Sequence, residues 1–302
     1  MNRRDVEALL SQLTIRTKQA TLVPLVPNWA QSEILDEYCA ASAERRPFRA
    51  IVLKARQLGI STLMQGLLFL RAFWDDNANC AVVAHERESS EELFSKQRLF
   101  YELHPFKAIC PHRYASRRQL VLERQRSSVW VTTSENPHAG RSRTINHCHA
   151  SEVAFWKNPT DTMLSLSNTI PRLPDTSILI ESTANGVGNF FEDEWVKAKN
   201  GQSDYKPFFF PWWREPSYIP CSGYKCLDGS CEDCVAHTGM LGKLDVDERD
   251  LVKIGVDRTH IAWRRWAITN LAFGNIDLFN QEMPARDTDA FLVTGVNAFP
   301  ES

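Results

Sequence analysis

The sequence predicts an α/β fold, a mostly parallel sheet flanked by helices with a small Cys-rich zinc-binding insert, and three observations carry that prediction. Short strand-like segments at residues 50–53, 80–84, 129–132, 145–148 and 178–181 alternate with longer helix-forming stretches. A tight basic loop joins the first run to a helix start. Four cysteines, Cys221, Cys226, Cys231 and Cys234, crowd into one short segment near the end of the chain.

Taken in order, residues 1–20 are expected to form a short amphipathic helical arm, with Val6, Leu9, Leu10 and Leu13 on one face. Residues 21–302 then form one large domain, of which 206–302 are the C-terminal part and 220–238 the insert. The run at 50–53 suits a strand buried on both faces, and 63–73 are helix formers without proline. Residues 88–101 read as the next helix. A strand over 143–150 leads to Ser151 and Glu152, and a third strand at 178–181 ends in Ser182-Thr183-Ala184-Asn185-Gly186. The aromatic run 208–213 reads as a buried strand with an edge proline, Pro211, and 245–275 as helical. There is no internal repeat and no low-complexity linker.

The loop between the first strand and its helix reads Lys54-Ala55-Arg56-Gln57-Leu58-Gly59-Ile60-Ser61-Thr62. Gly59 permits close backbone approach, the following helix amides point at an anion, and Ser61 or Thr62 offers a hydroxyl to magnesium. The loop departs from G-x-x-x-x-G-K-[ST], because Ile60 stands at the lysine position and Lys54 at the first glycine. The positive charge is kept but relocated to Lys54 and Arg56.

Lys-Ala-Arg-Gln-Leu-Gly-Ile-Ser, Ala-Ser-Glu-Val-Ala-Phe-Trp and Glu-Ser-Thr-Ala-Asn-Gly, in this order and spacing, resemble the ATPase motifs of the large terminase subunit of tailed bacteriophages. The resemblance runs from about Pro27 to Ser302. It implies a P-loop NTPase of the ASCE type that hydrolyses ATP with Mg2+ to drive double-stranded DNA into a procapsid. It also implies a portal protein and a small terminase subunit as partners, self-association into a ring on the portal, and the host cytoplasm as location. By that resemblance Gln31, in Asn28-Trp29-Ala30-Gln31, contacts adenine. Lys54, Arg56, Gln57, Gly59, Ser61 and Thr62 hold phosphates and metal, with Ser61 on the magnesium. Glu152 orients the attacking water, and Ser182 to Asn185 couple nucleotide state to movement. Ser151 stands where an acidic residue usually precedes the catalytic glutamate, so it meets magnesium only through a neutral hydroxyl or a bridging water. Arg141 is the candidate to reach a neighbouring subunit's γ-phosphate, the alternative being that Arg141 and Arg143 cap the sheet edge. Phe279-Asn280-Gln281-Glu282-Met283-Pro284 resembles the closing region of the family's ATPase part, so no nuclease activity is expected from these 302 residues.

Composition bounds this reading. At 43% hydrophobic residues the chain can bury a substantial core, and no apolar run is long enough to cross a membrane. A net charge of −2 excludes bulk electrostatic coating of nucleic acid, so DNA contact must be local. Candidates are Arg113, Arg117, Arg118, Arg124 and Arg126 around an expected hairpin, and Arg258, Arg264 and Arg265; solvated surface charge is the alternative for each. Cys39, Cys80, Cys110 and Cys148 read as buried free thiols. The C-x4-C-x4-C-x2-C cluster instead has the density of a structural zinc site, with His237 as an alternative ligand and free or oxidised cysteines as the other reading. Two other functional classes stay open: a superfamily-II-like helicase or translocase, and a zinc-stabilised DNA- or portal-binding module with a non-hydrolysing nucleotide site.

Overall fold

The computed structural model describes residues 2–136, 144–219, 232, 239 and 241–291. The chain divides into two compact units. The first comprises residues 1–52, 57–182 and 190–208, and the second residues 53–56, 183–189 and 209–302.

The first unit opens with α1 (Arg3–Leu10), whose Asn2 side chain caps the Asp5 amide. The helix is much shorter than the 20-residue arm expected from its periodicity. A two-stranded hairpin of β1 (Thr14–Arg16) and β2 (Leu22–Pro24) follows it. Nor does its apolar face project as a free arm. Val6, Leu10 and Leu13 are buried, and Leu10 and Leu13 lie so close to Gly66 that an added Cβ there would meet their methyls at 3.0 and 3.4 Å. The same side chains that suggested an interaction face therefore belong to the unit's own core.

Next come α2 (Trp29–Ala43), β3 (Phe48–Lys54), α3 (Ile60–Trp74), β4 (Asn79–Ala84), α4 (Arg87–Leu103), β5 (His112–Ser116), β6 (Gln119–Leu122), β7 (Ser127–Thr133), β8 (His147–Ser151), α5 (Pro159–Thr169), β9 (Ser177–Ser182), α6 (Phe190–Lys199) and β10 (Lys206–Phe210). One sheet takes eight strands in the order β10-β3-β9-β8-β4-β7-β6-β5. Strands β7, β4, β8 and β9 run parallel, and β5 and β6 add an antiparallel hairpin at one edge. Every residue of β3, β8 and β9 is buried. This explains the apolar runs at 50–53 in β3 and 178–180 in β9, since a strand covered on both faces loses the polar alternation of a half-exposed one; β8, reading His-Cys-His-Ala-Ser, is buried without such a run. The aromatic run breaks earlier than expected. Strand β10 stops at Phe210, and Trp212–Arg214 form a single 3-10 turn after Pro211, which has no N–H to extend a ladder. The edge placement of β10 agrees with that proline.

In the second unit the expected long helix is two: α7 (Val246–Lys253) and α8 (Arg258–Asn270). They are separated by Gly255 at φ 102°, a backbone conformation that glycine adopts without steric penalty, and α8 restarts under the side-chain cap of Asp257. Helices α9 (Ile276–Glu282) and α10 (Asp287–Ala290) complete it. Its core is aromatic: Tyr218 stacks on Trp263 with centroids 4.5 Å apart, and Trp212 lies 5.3 Å from Trp263 and 5.9 Å from Phe279. Two of the three arginines proposed for DNA there are ion-paired within the unit, and only Arg264 is buried. Arg264 is buried, ion-paired with Asp247 and set over the Phe279 ring, while Arg265 makes a two-pronged pair with Glu248 at 2.5 and 2.6 Å. That pairing holds the Glu248 carboxyl below its ordinary range. Sequence clustering could not separate such structural cations from surface ones. On the β5–β6 hairpin, Arg117, Arg124 and Arg126 are exposed, and Arg113 and Arg118 sit at 3.6 and 3.7 Å from Glu123 and Glu91.

Candidate functional site

The loop after β3 is held from below by the start of α2. Asn28 caps that helix, its side chain accepting from the Gln31 amide while Gln31 Oε1 accepts from the Asn28 amide. The same two residues then reach the loop. Asn28 Nδ2 donates to the Leu58 carbonyl at 3.0 Å, and Gln31 Nε2 donates to the Gly59 carbonyl at 2.7 Å. Gln31, singled out as a base-reading residue, is thus 4% exposed and already braces the loop. Gly59 sits at φ 74° as the N-cap of α3 and supplies no side-chain cap. An added Cβ would lie 2.8 Å from Gln31 Nε2 and would have to push that amide aside, on top of the strain of a side chain at this φ. Gln57, exposed in the same loop, also takes a left-handed conformation at φ 60°.

At the first turn of α3, Ser61 and Thr62 are half-buried. Ser61 Oγ donates to Glu181 Oε1 at 2.6 Å, and the same oxygen accepts from Ser151 Oγ at 2.9 Å. Ser151 ends β8 and is the direct register partner of Glu181 on β9. His149, two residues back on the same face of β8, places Nε2 3.2 Å from Glu181 Oε1. A relay fixes its tautomer: Gln97 Nε2 donates to Gln65 Oε1 at 2.7 Å, leaving Gln65 Nε2 to donate to His149 Nδ1 at 2.9 Å, so the ring proton is on Nε2 and faces the carboxylate. Gln65, Gln97, His149 and Glu181 are all fully buried. Further down β8, burial pushes His147 down to about 3, so it is neutral while its Nδ1 lies 3.0 Å from Ser177 Oγ.

Glu152 follows Ser151 at φ 54°. A non-glycine residue in that region costs about 1–3 kcal/mol. Ser182, the last residue of β9, donates to Glu152 Oε2 at 3.3 Å and accepts from the Ala154 amide at 3.2 Å. The first unit therefore brings together Gln31 with Gly59, Ser61 with Ser151 through Glu181, and Glu152 with Ser182. Chemically this is a glycine turn opening a helix, an oxygen-only donor set beside a loop hydroxyl, and a half-buried carboxylate aimed by a serine.

Three of the expected site residues among those described fall in the second unit. Lys54 ends β3 and is buried, Arg56 is exposed and pairs with Glu282 at 2.5 Å, and Asn185 is exposed. The loop backbone there is anchored by Tyr218 Oη donating to the Arg56 carbonyl at 2.6 Å. Arg141, Cys221, Cys226, Cys231, Cys234 and His237 lie outside the described residues. Among the described residues no cluster of His, Cys, Asp and Glu suits a metal, and no helix is long and apolar enough to cross a membrane.

No protein-family model matches the chain. Among solved structures, it superposes on the HK97 bacteriophage large terminase with a TM-score of 0.64 at 13% identity, covering 94% of this chain and 55% of that one. On the large terminase ATPase domain of Thermus phage P74-26 the TM-score is 0.54 at 16% identity, with 86% and 93% covered. The chain has the fold of a large terminase ATPase domain. It spans about half the length of the HK97 large terminase. Within this terminase fold the reading from sequence missed Glu181, His149, Gln65 and Gln97. The available signals were a charged residue closing an apolar strand run and two glutamines within otherwise helical patterns. None says which residue each one meets.

Proposed function

We propose that this chain is the ATPase part of a DNA-packaging motor, hydrolysing ATP with magnesium to translocate double-stranded DNA into a viral procapsid. The observation that carries the reading is the loop hydroxyl of Ser61 held against a strand-end carboxylate, directly after a glycine turn at positive φ, in a terminase ATPase fold. The residues suit the implied groups. Gly59 leaves the start of α3 without a side-chain cap, as a phosphate requires. Ser61, Ser151 and Glu181 offer only oxygen donors, as magnesium prefers.

When bound, magnesium would neutralise charge on the β- and γ-phosphates. Ser61 and Thr62 would hold it and the phosphates, Gln57 and Gly59 would shape the loop, and Lys54 and Arg56 would add cationic charge. Glu152, oriented by Ser182, would position the attacking water and accept its proton, while Ser182 and Asn185 would report nucleotide state. Arg141 would act on a neighbouring subunit's nucleotide in a ring. Double-stranded DNA, the portal and the small subunit would be its partners in the host cytoplasm. Cys221, Cys226, Cys231 and Cys234 would hold a structural zinc, their spacing being the support.

The test compares ATP turnover of the wild type and Glu152→Ala, with magnesium, with and without double-stranded DNA, at concentrations that allow assembly. Turnover abolished in the variant, with nucleotide binding retained, is the expected result. Normal turnover in Glu152→Ala would refute the assignment.

A further inference from the structure

Glu181 opens the Glu-Ser-Thr-Ala-Asn-Gly motif without an assigned role, yet it is the residue on which the site converges. Magnesium in P-loop enzymes is held by the loop serine or threonine together with an acidic residue at the end of a neighbouring strand. Here the residue before the catalytic glutamate is Ser151, which carries no charge. We propose that Glu181 supplies that missing carboxylate from β9, positioning the Ser61 hydroxyl for a magnesium ion bound with nucleotide, so that the acidic function has moved one strand sideways. The proposal rests on the nucleotide-binding reading above.

Four features of the structure support it. Strand β9 lies between β3 and β8 in the sheet, so a carboxylate at its end stands beside the helix that follows the loop. Ser151 and Glu181 are register partners, which puts the two side chains at the same height and on the same face. Ser61 Oγ donates its only proton to Glu181 at 2.6 Å, so its lone pairs are left for another partner, the orientation a metal ligand needs. Finally, Ser151 and His149 also donate to that oxygen, and His149 is locked by Gln65 and Gln97. A fully buried carboxylate with this many committed donors is pre-organised, since neither it nor its partners can rotate away without breaking buried hydrogen bonds.

The test separates a magnesium role from a purely structural one. ADP binding is measured by calorimetry for wild type and Glu181→Gln, in EDTA and across a magnesium titration, with thermal melting to confirm folding. The expected result is unchanged ADP binding in EDTA, with the magnesium needed for half-maximal enhancement raised about 10-fold or more, the usual scale for losing an outer-shell partner. Ser61→Ala should raise it similarly, and the double variant should be no worse than the more affected single one, because both remove one interaction. If Glu181→Gln does not fold, Glu181→Asp is read in the same titration, since it keeps the charge and withdraws it by one methylene. An unchanged magnesium titration in the folded variant, or fully additive effects with Ser61→Ala, would overturn the proposal while leaving nucleotide binding intact. Absence of ADP binding by the wild type would overturn both.

Discussion

Replacing Gly59 by alanine should destabilise the first unit and loosen the loop after β3 at once, and the structure separates the two costs. At φ 74° a residue with a Cβ pays about 1–2 kcal/mol for the left-handed conformation. The new Cβ would also sit 2.8 Å from Gln31 Nε2, far inside contact distance, and so displace the amide that donates to the Gly59 carbonyl. Losing that hydrogen bond adds about 1 kcal/mol. The sum is about 2–3 kcal/mol, read as a shift in the urea midpoint at unchanged slope. Gly201→Ala is the control, for Gly201 has φ 68° in the same unit and nothing within 4 Å of its Cβ, so it should cost only the backbone part. In a Gln31→Ala background the additional cost of Gly59→Ala should fall to the Gly201→Ala value, because the obstructing amide is gone. If Gly59→Ala and Gly201→Ala cost the same in the wild-type background, the idea that Gln31 braces this turn is wrong.

Ser182→Ala should lower turnover by about 10-fold or more, on the scale by which a mis-set acid–base group loses efficiency. Nucleotide affinity should stay within a factor of two by calorimetry, because Ser182 touches Glu152 and the Ala154 amide but not the loop. Acidification should destabilise the fold through its buried histidines. Burial lowers His147 from 6.5 to about 3 and His104 to about 4, so between those values and 6.5 the unfolded chain binds more protons and stability falls as pH falls. At about 1.4 kcal/mol per pH unit, His147 sets an upper limit of about 5 kcal/mol between pH 6.5 and 3, checked by urea midpoints across that range. Replacing His147 by glutamine should flatten the dependence. Purified reduced protein should contain about one zinc per chain, as a closed four-thiolate site requires. Removing it with a strong chelator should lower the melting temperature, and a stoichiometry near zero would refute the zinc assignment.

Much of the fold was legible because burial leaves a local mark. Strands covered on both faces carry apolar runs, so β3, β4 and β9 were visible to within a few residues. The glycine turn and its following hydroxyls were visible too, since a left-handed N-cap before a helix restricts residue choice locally. Helix extent at the N-terminus was misjudged because Leu13 continues the amphipathic pattern of α1 while the backbone has already left the helix. The arginines of α8 looked like a cationic patch because Asp247 and Glu248, which neutralise them, lie 17 residues away along the chain.

By itself, then, the sequence determined which segments are buried, where a glycine turn opens a helix, and which glutamate, Glu152, follows a strand end. Only the tertiary structure decided which carboxylate stands beside Ser61. That pairing spans 120 residues and depends on β8 and β9 lying in register so that Ser151 faces Glu181. Register in a parallel sheet is set by the packing of the whole unit and not by residues near the contact, so the chain shows a serine variant at the acidic position but not that a carboxylate on the next strand stands opposite it.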